Sequence, residues 1–152
     1  MNVYNAAMEA QDLQILSNAW VRLVRGQHHV LTHVEAALKQ AGFPPLLWYD
    51  VLLELAREPQ KGLRPVEIEA RMLLPQYGVS RLLDRMENAG FVQHRRCEED
   101  GRGKRIYITE NGLQLKTLIW PVYRSTLDKE LGQKLTRDEL MTLATILEKL
   151  DT

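Results

Sequence analysis

Apolar side chains recur at helical spacing from Asp12 to Gln40, at Leu13, Leu16, Trp20, Leu23, Val24, Leu31, Val34 and Leu38. Wound at about 3.6 residues per turn they share one broad stripe, which predicts a long amphipathic helix stopped at Gly42. Pro44 and Pro45 suit the first turn of a second helix with the body LLWYDVLLELARE, ending before Pro59. After the link QKGLR two short helices follow in quick succession. Pro65 opens VEIEARM, and Pro75 opens QYGVSRLLDRMENA, which Gly90 closes. Their common buried face is expected from Val66, Ile68 and Met72 on the first and Val79, Leu82, Leu83 and Met86 on the second. Gln76, Tyr77, Ser80, Arg81 and Arg85 then point elsewhere. Gly78 falls inside the second helix, at a propensity cost of roughly 1 kcal/mol relative to Ala.

Beyond Gly90 the period changes. FVQHRR and KRIYIT read as two strands, the second alternating Ile106 and Ile108 with Arg105 and Tyr107, joined by the charged loop CEEDGRG. Thr109 is an N-cap for a further amphipathic helix through Leu113, Leu115, Leu118, Ile119, Val122 and Leu127, with Pro121 expected to kink it. The last helix starts at Thr136, whose spacing to Glu139 is a capping box, and carries Leu140, Leu143, Ile146, Leu147 and Leu150. The predicted fold class is mainly α with a small β-wing: six helices and a wing sheet of two to three strands. Helix, tight turn, helix and hairpin form a winged helix-turn-helix, in which the second helix enters the major groove of DNA and the loop reaches a neighbouring groove.

Composition narrows this without deciding it. The chain has 152 residues, 45% hydrophobic and 26% charged, which suits one folded domain with a real core. No apolar run approaches the roughly 20 residues of a membrane-spanning helix, and the first residues lack the basic-then-apolar order of a secretion signal. The single cysteine, Cys97, cannot form an internal disulfide, so a cytoplasmic location is expected. The formal charge is zero, but its distribution is uneven: residues 64–105 hold 9 basic against 7 acidic residues, while 1–63 hold 5 against 6 and 106–152 hold 6 against 7. Eight of the nine central basic residues are arginine, the side chain suited to planar contacts with phosphate and guanine.

Three stretches, VSRLLDRMENAGFVQHRR, DGRGKRIYIT and TENG, together resemble the MarR family of transcription regulators. They are similar to that family's recognition helix, its Asp-x-Arg wing and its entry into the following helix. The resemblance implies a single domain over 1–152, with a DNA-binding region at 44–109 and a helical dimerisation region formed by 1–43 and 110–152. It implies a ligand-responsive repressor that acts as a homodimer on a palindromic promoter site, and no enzymatic activity. Base reading falls to Gln76, Tyr77, Ser80 and Arg81 at the start of the recognition helix, with Arg85 further along. Gly78 either lets the backbone approach DNA or packs closely on the preceding helix. At the wing Arg102 would enter the minor groove, Arg95, Arg96 and Lys104 would touch phosphates, and Asp100 would pair with arginine to shape the loop. The first, fifth and sixth helices keep apolar stripes that a second copy would bury.

Three further features invite chemistry. His29 and His33, four apart on one helix, could share a metal ion, but two ligands rarely suffice and Glu35 points to another side, so surface histidines and no metal or other cofactor are expected. Cys97 lies between the Arg95–Arg96 and Glu98–Glu99 pairs, whose charges oppose each other, and a bystander thiol is expected. Family members often release DNA on binding a small aromatic or phenolic effector, and His28, Trp48 and Trp120 are the candidates for contacting one. The competing reading is a winged-helix module for protein–protein contact that lacks specific DNA binding. An enzyme finds no support: there is no phosphate-binding Gly-rich loop, Gly-x-Ser-x-Gly elbow or His-Glu-x-x-His.

Overall fold

A computed structural model describes residues 3–74, 77–96 and 103–151, with side chains from residue 9 onward. The order of elements is α1 (Val3–Gln40), α2 (Leu46–Arg57), α3 (Pro65–Arg71), α4 (Val79–Asn88), β1 (Val92–Arg96), β2 (Lys104–Ile108), α5 (Glu110–Leu127), a π-helical turn (Asp128–Gly132) and α6 (Arg137–Glu148). The chain divides into two compact units, one of residues 1–34 with 127–152 and the other of residues 35–126.

The core of the 35–126 unit is built from the apolar faces that the periodicity marks. Leu52, Leu55, Ile68, Leu82, Leu83, Met86, Ile106 and Ile119 are all at most 1% exposed. Val66 is a correction: it is 67% exposed, while Ile68, two residues on, is fully buried. Residues two apart on a helix lie about 200° apart, so on a helix of seven residues a single buried stripe cannot take both. Local hydrogen bonds fix the joints. Glu35 accepts the Leu46 N–H at the start of α2, and Glu67 accepts the Arg64 N–H at 2.7 Å at the start of α3. Thr109 caps α5 by accepting from the Gly112 N–H at 3.1 Å, while its hydroxyl donates to the Gly90 carbonyl at 2.7 Å.

The wing is an antiparallel hairpin in which Val92 faces Ile108, His94 faces Ile106 and Arg96 faces Lys104. Leu63 adds a bridge to Ile106 through a reciprocal pair of backbone hydrogen bonds, so a third segment joins the sheet edge.

In the other unit α1 begins at Val3, earlier than the apolar stripe indicated. Its residues Leu13, Leu16 and Trp20 are each about two-thirds exposed, and on α6 Met141 and Ile146, with Leu150 just beyond it, are more than half exposed. Thr136 and Glu139 form the expected capping box. The sequence pattern did not signal the π turn that follows α5.

Gly112 marks the tightest joint. A Cβ there would stand 2.2 Å from the Phe91 carbonyl oxygen and 2.8 Å from Ile108 Cγ1. Gly112→Ala should therefore destabilise the chain by about 1–3 kcal/mol in chemical denaturation, overriding the roughly 1 kcal/mol gain in helix propensity.

Candidate nucleic-acid interface

Helix α4 turns Val79, Leu82, Leu83 and Met86 inward, which leaves Ser80, Arg81 and Arg85 exposed on the opposite side. Arg81 and Arg85 form no ion pair with another described residue, so their guanidinium groups are available to an outside anion. Tyr77 is 96% exposed just ahead of the helix. Gln76 lies outside the described residues.

Gly78 corrects the sequence reading. It is not within the helix but is its N-cap, with φ 76° and ψ 39°, and its carbonyl accepts the first hydrogen bonds, from the N–H groups of Arg81 and Leu82. This left-handed conformation penalises any residue with a Cβ, which gives the glycine its reason. Close packing on the preceding helix is not that reason, since no described atom lies within 4 Å of a Cβ position there. Pro75 misled because a proline often opens a helix; here Gly78, three residues later, caps it instead.

The approach to α4 is held from below. Asp50, buried on α2, accepts the Leu73 N–H at 2.7 Å and the Leu74 N–H at 3.4 Å with one carboxylate oxygen. Burial raises its pKa above the usual carboxylate range, against the lowering effect of those two N–H donors. The far end of α4 is tied to the wing. Glu87 accepts from the His94 backbone N–H at 2.6 Å and from its ring Nδ1, and these bonds lower the Glu87 pKa. Asp50, Glu87 and His94 were absent from the sequence reading, because nothing in local spacing joins residues 23 or 7 apart across element boundaries.

On the hairpin Arg95, Arg96 and Lys104 are exposed. The Arg95 guanidinium sits 4.6 Å over the Tyr107 ring, which orients it along the sheet surface. Arg105 serves the framework instead. Half-buried, it reaches the carbonyls of Lys61 and Gly62 and lies 3.9 Å from Glu67. Asp100, Arg102 and Cys97 lie outside the described residues.

Among the aromatic candidates, Trp48 packs edge-on against Phe91, and Trp120 stacks on Tyr49 with Tyr123 at its edge. His28 is exposed on α1, in the 1–34 and 127–152 unit. None of the three lines the cavity of about 240 Å³ bounded by Tyr49, Asp50, Leu53, Arg57, Leu74 and Tyr123. Burial raises the pKa of both Tyr49 and Tyr123, so each keeps its phenolic proton at neutral pH.

A profile of the MarR family matches residues 41–103. The HTH-type transcriptional regulator PapX of Escherichia coli is 34% identical over 105 residues, which span 67% of this chain and 62% of PapX. The chain belongs to the MarR family. Solved structures of MarR regulators share its fold. The Streptomyces coelicolor regulator Sco3205, in complex with DNA, gives a TM-score of 0.81 at 21% identity, covering 89% of this chain and 84% of that one. The organohalide-sensing regulator RdhR-CbdbA1625 in its 2,4-dichlorophenol-bound form gives 0.76 at 20% identity, covering 90% and 79%.

Asp50→Ala should destabilise the chain by about 1–3 kcal/mol in urea, because two backbone donors lose their acceptor. The pH dependence has a definite sign. With a raised folded-state pKa, the contribution of Asp50 to stability is full below the ordinary carboxylate value of about 4 and declines as pH rises through its own higher value. Asp50→Asn, which cannot ionise, should flatten that decline when urea midpoints are compared from pH 4 to 8.

Proposed function

We propose that this chain is a sequence-specific, double-stranded DNA-binding transcription regulator of the cytoplasm, a ligand-responsive repressor acting as a homodimer on a palindromic promoter site. One observation carries the reading. Helix α4 is held on its buried face and tied at its C-terminal end to the hairpin through Glu87 and His94, yet it offers Arg81 and Arg85 outward, with no ion-pair partner among the described residues, beside strands bearing Arg95, Arg96 and Lys104. A helix held this firmly can lie in the major groove, where arginine discriminates guanine by paired hydrogen bonds worth about 1–3 kcal/mol each. The DNA complex of Sco3205 supports the same use of a similar fold.

In this reading residues 44–109 meet DNA, with Gln76, Tyr77 and Ser80 joining Arg81 and Arg85 at the bases. Gly78 sets the angle at which the helix begins. Arg102 enters the minor groove from a loop shaped by Asp100, while Arg95, Arg96 and Lys104 touch phosphates. Residues 1–43 and 110–152 join two copies. The exposed Leu13, Leu16 and Trp20 on α1 and Ile146 and Leu150 at α6 supply apolar surface for that purpose. A twofold pair presents recognition helices to half-sites about 34–36 Å apart.

A small aromatic or phenolic effector is supported by the dichlorophenol-bound RdhR-CbdbA1625 and by the cavity between α2 and the turn that precedes α4. Its lining includes Asp50, the residue that holds that turn, so an occupant there would bear on the helix that reads DNA. His28, Trp48 and Trp120 remain the sequence-based candidates for contacting an effector.

Binding to the chain's own upstream DNA should weaken steeply with salt, and Arg102→Ala should reduce the slope of log K against log salt by about one per protomer. Equal affinity for that DNA and for random duplex at physiological salt would favour the protein-contact reading instead. Arg81→Ala should lose discrimination at particular base positions across a panel of single-base operator variants. A uniform loss would make Arg81 a phosphate contact.

A further inference from the structure

His29 and His33 are a two-ligand pair in the sequence, and the fold supplies a third group from the distant end of the same unit. Glu130, 101 residues further along, stands in the π turn with Oε2 3.0 Å from His29 Nε2. One ligand atom from each of His29, His33 and Glu130 lies within 4.8 Å of the others, close enough for small side-chain rotations to bring all three onto one ion. The two imidazole rings are 4.2 Å apart between centroids.

The hydrogen bonds already set the protons for such a role. His33 Nδ1 is 2.7 Å from the backbone carbonyl oxygen of His29, which can only accept. Nδ1 therefore carries a proton, and in the neutral ring Nε2 keeps its lone pair. A backbone carbonyl fixing the tautomer of a ligating imidazole is the usual support of a metal site. The Glu130 side chain is 4% accessible, and its Oε2 accepts from both Lys134 Nζ and His29. Lys134 first, then His29, hold its pKa down at about 2, so the carboxylate is ionised at any physiological pH.

We propose that His29, His33 and Glu130 form a binding site for a divalent transition-metal ion of the zinc type, with water completing its coordination. Two imidazole nitrogens and one carboxylate suit zinc and its neighbours, whereas calcium and magnesium favour sites built of oxygen. On binding, the ion takes the position of the proton between His29 Nε2 and Glu130. That proton moves to Nδ1 of the neutral ring, and the Lys134 ammonium leaves Glu130 for solvent. The ion joins α1 to the π turn, two segments remote in sequence, and so stabilises the unit that contains them.

The test uses the full-length chain without a histidine tag, stripped by chelator and titrated with cobalt(II), with zinc as competitor and melting temperature as a second readout. We expect one cobalt per chain, visible absorption of a low-coordinate nitrogen–oxygen site, displacement by zinc and a rise in melting temperature with zinc. His33→Ala should weaken binding by about a hundredfold, with unchanged circular dichroism. Lys134→Met keeps every ligand and removes the competing cation, so binding should tighten about tenfold. Cys97→Ser should leave the titration unchanged, which separates this site from thiolate binding in the wing. Absence of binding at about 100 μM metal, persistence of binding in His33→Ala, or failure of Lys134→Met to tighten it would overturn the proposal.

Discussion

A buried carboxylate set beneath a turn holds the chain where it leaves α3 and heads for α4. Where the chain leaves α3, the Leu73 and Leu74 N–H groups have no partner within a helix or strand and need an acceptor from elsewhere. Asp50 on α2 meets the Leu73 and Leu74 N–H groups and so fixes where the chain leaves α3. Gly78 then takes a left-handed turn that other residues resist, and α4 starts from there. At its other end the Glu87–His94 contact continues the constraint into the hairpin. The helix is thus positioned by its buried face and by its C-terminal tie to the hairpin, and the arginines on its free side inherit that position.

The elements themselves were legible because their signals are local. Period-3.6 stripes, a period-2 strand and capping residues such as Thr109 and Thr136 act within a few residues, and the structure has α2, α3, both strands, α5 and α6 close to where they were expected. The positions that the sequence concealed depend on contacts across the fold. Val66 is apolar and at a plausible phase, yet the short helix α3 turns Ile68 inward instead. Gly78 looked like a costly helix interior because Pro75 signals a helix start more openly than a glycine signals its positive φ. Asp50 carries no local signal on α2; only the arrival of the following turn makes it an acceptor.

Basic residues illustrate the same limit in charge. Nine lie between 64 and 105, and their number alone does not divide them into surface and framework. Arg105 is drawn inward to the carbonyls of Lys61 and Gly62, Arg71 lies 3.5 Å from Glu58, and Arg95 lies across Tyr107. Arg81, Arg85 and Arg96 form no ion pair among the described residues. The carboxylates of Glu35, Asp50, Glu67 and Glu87 are committed in turn to backbone N–H groups, so they serve the joints of the fold instead of pairing with Arg81, Arg85 or Arg96.

The π turn at Asp128–Gly132 carries one consequence of a different kind. Such a turn is an ordinary helix with a residue inserted, and each inserted residue rotates the remainder of the helix by about 100°. Glu130 meets His29 only because of that phase. In descendants of this gene, deleting codon 128 or 129 would rotate Glu130 by about 100° about the helix axis and swing its carboxylate away from the imidazole, even though both residues were kept. The spacing of this segment is therefore as much a heritable trait as the identity of its residues.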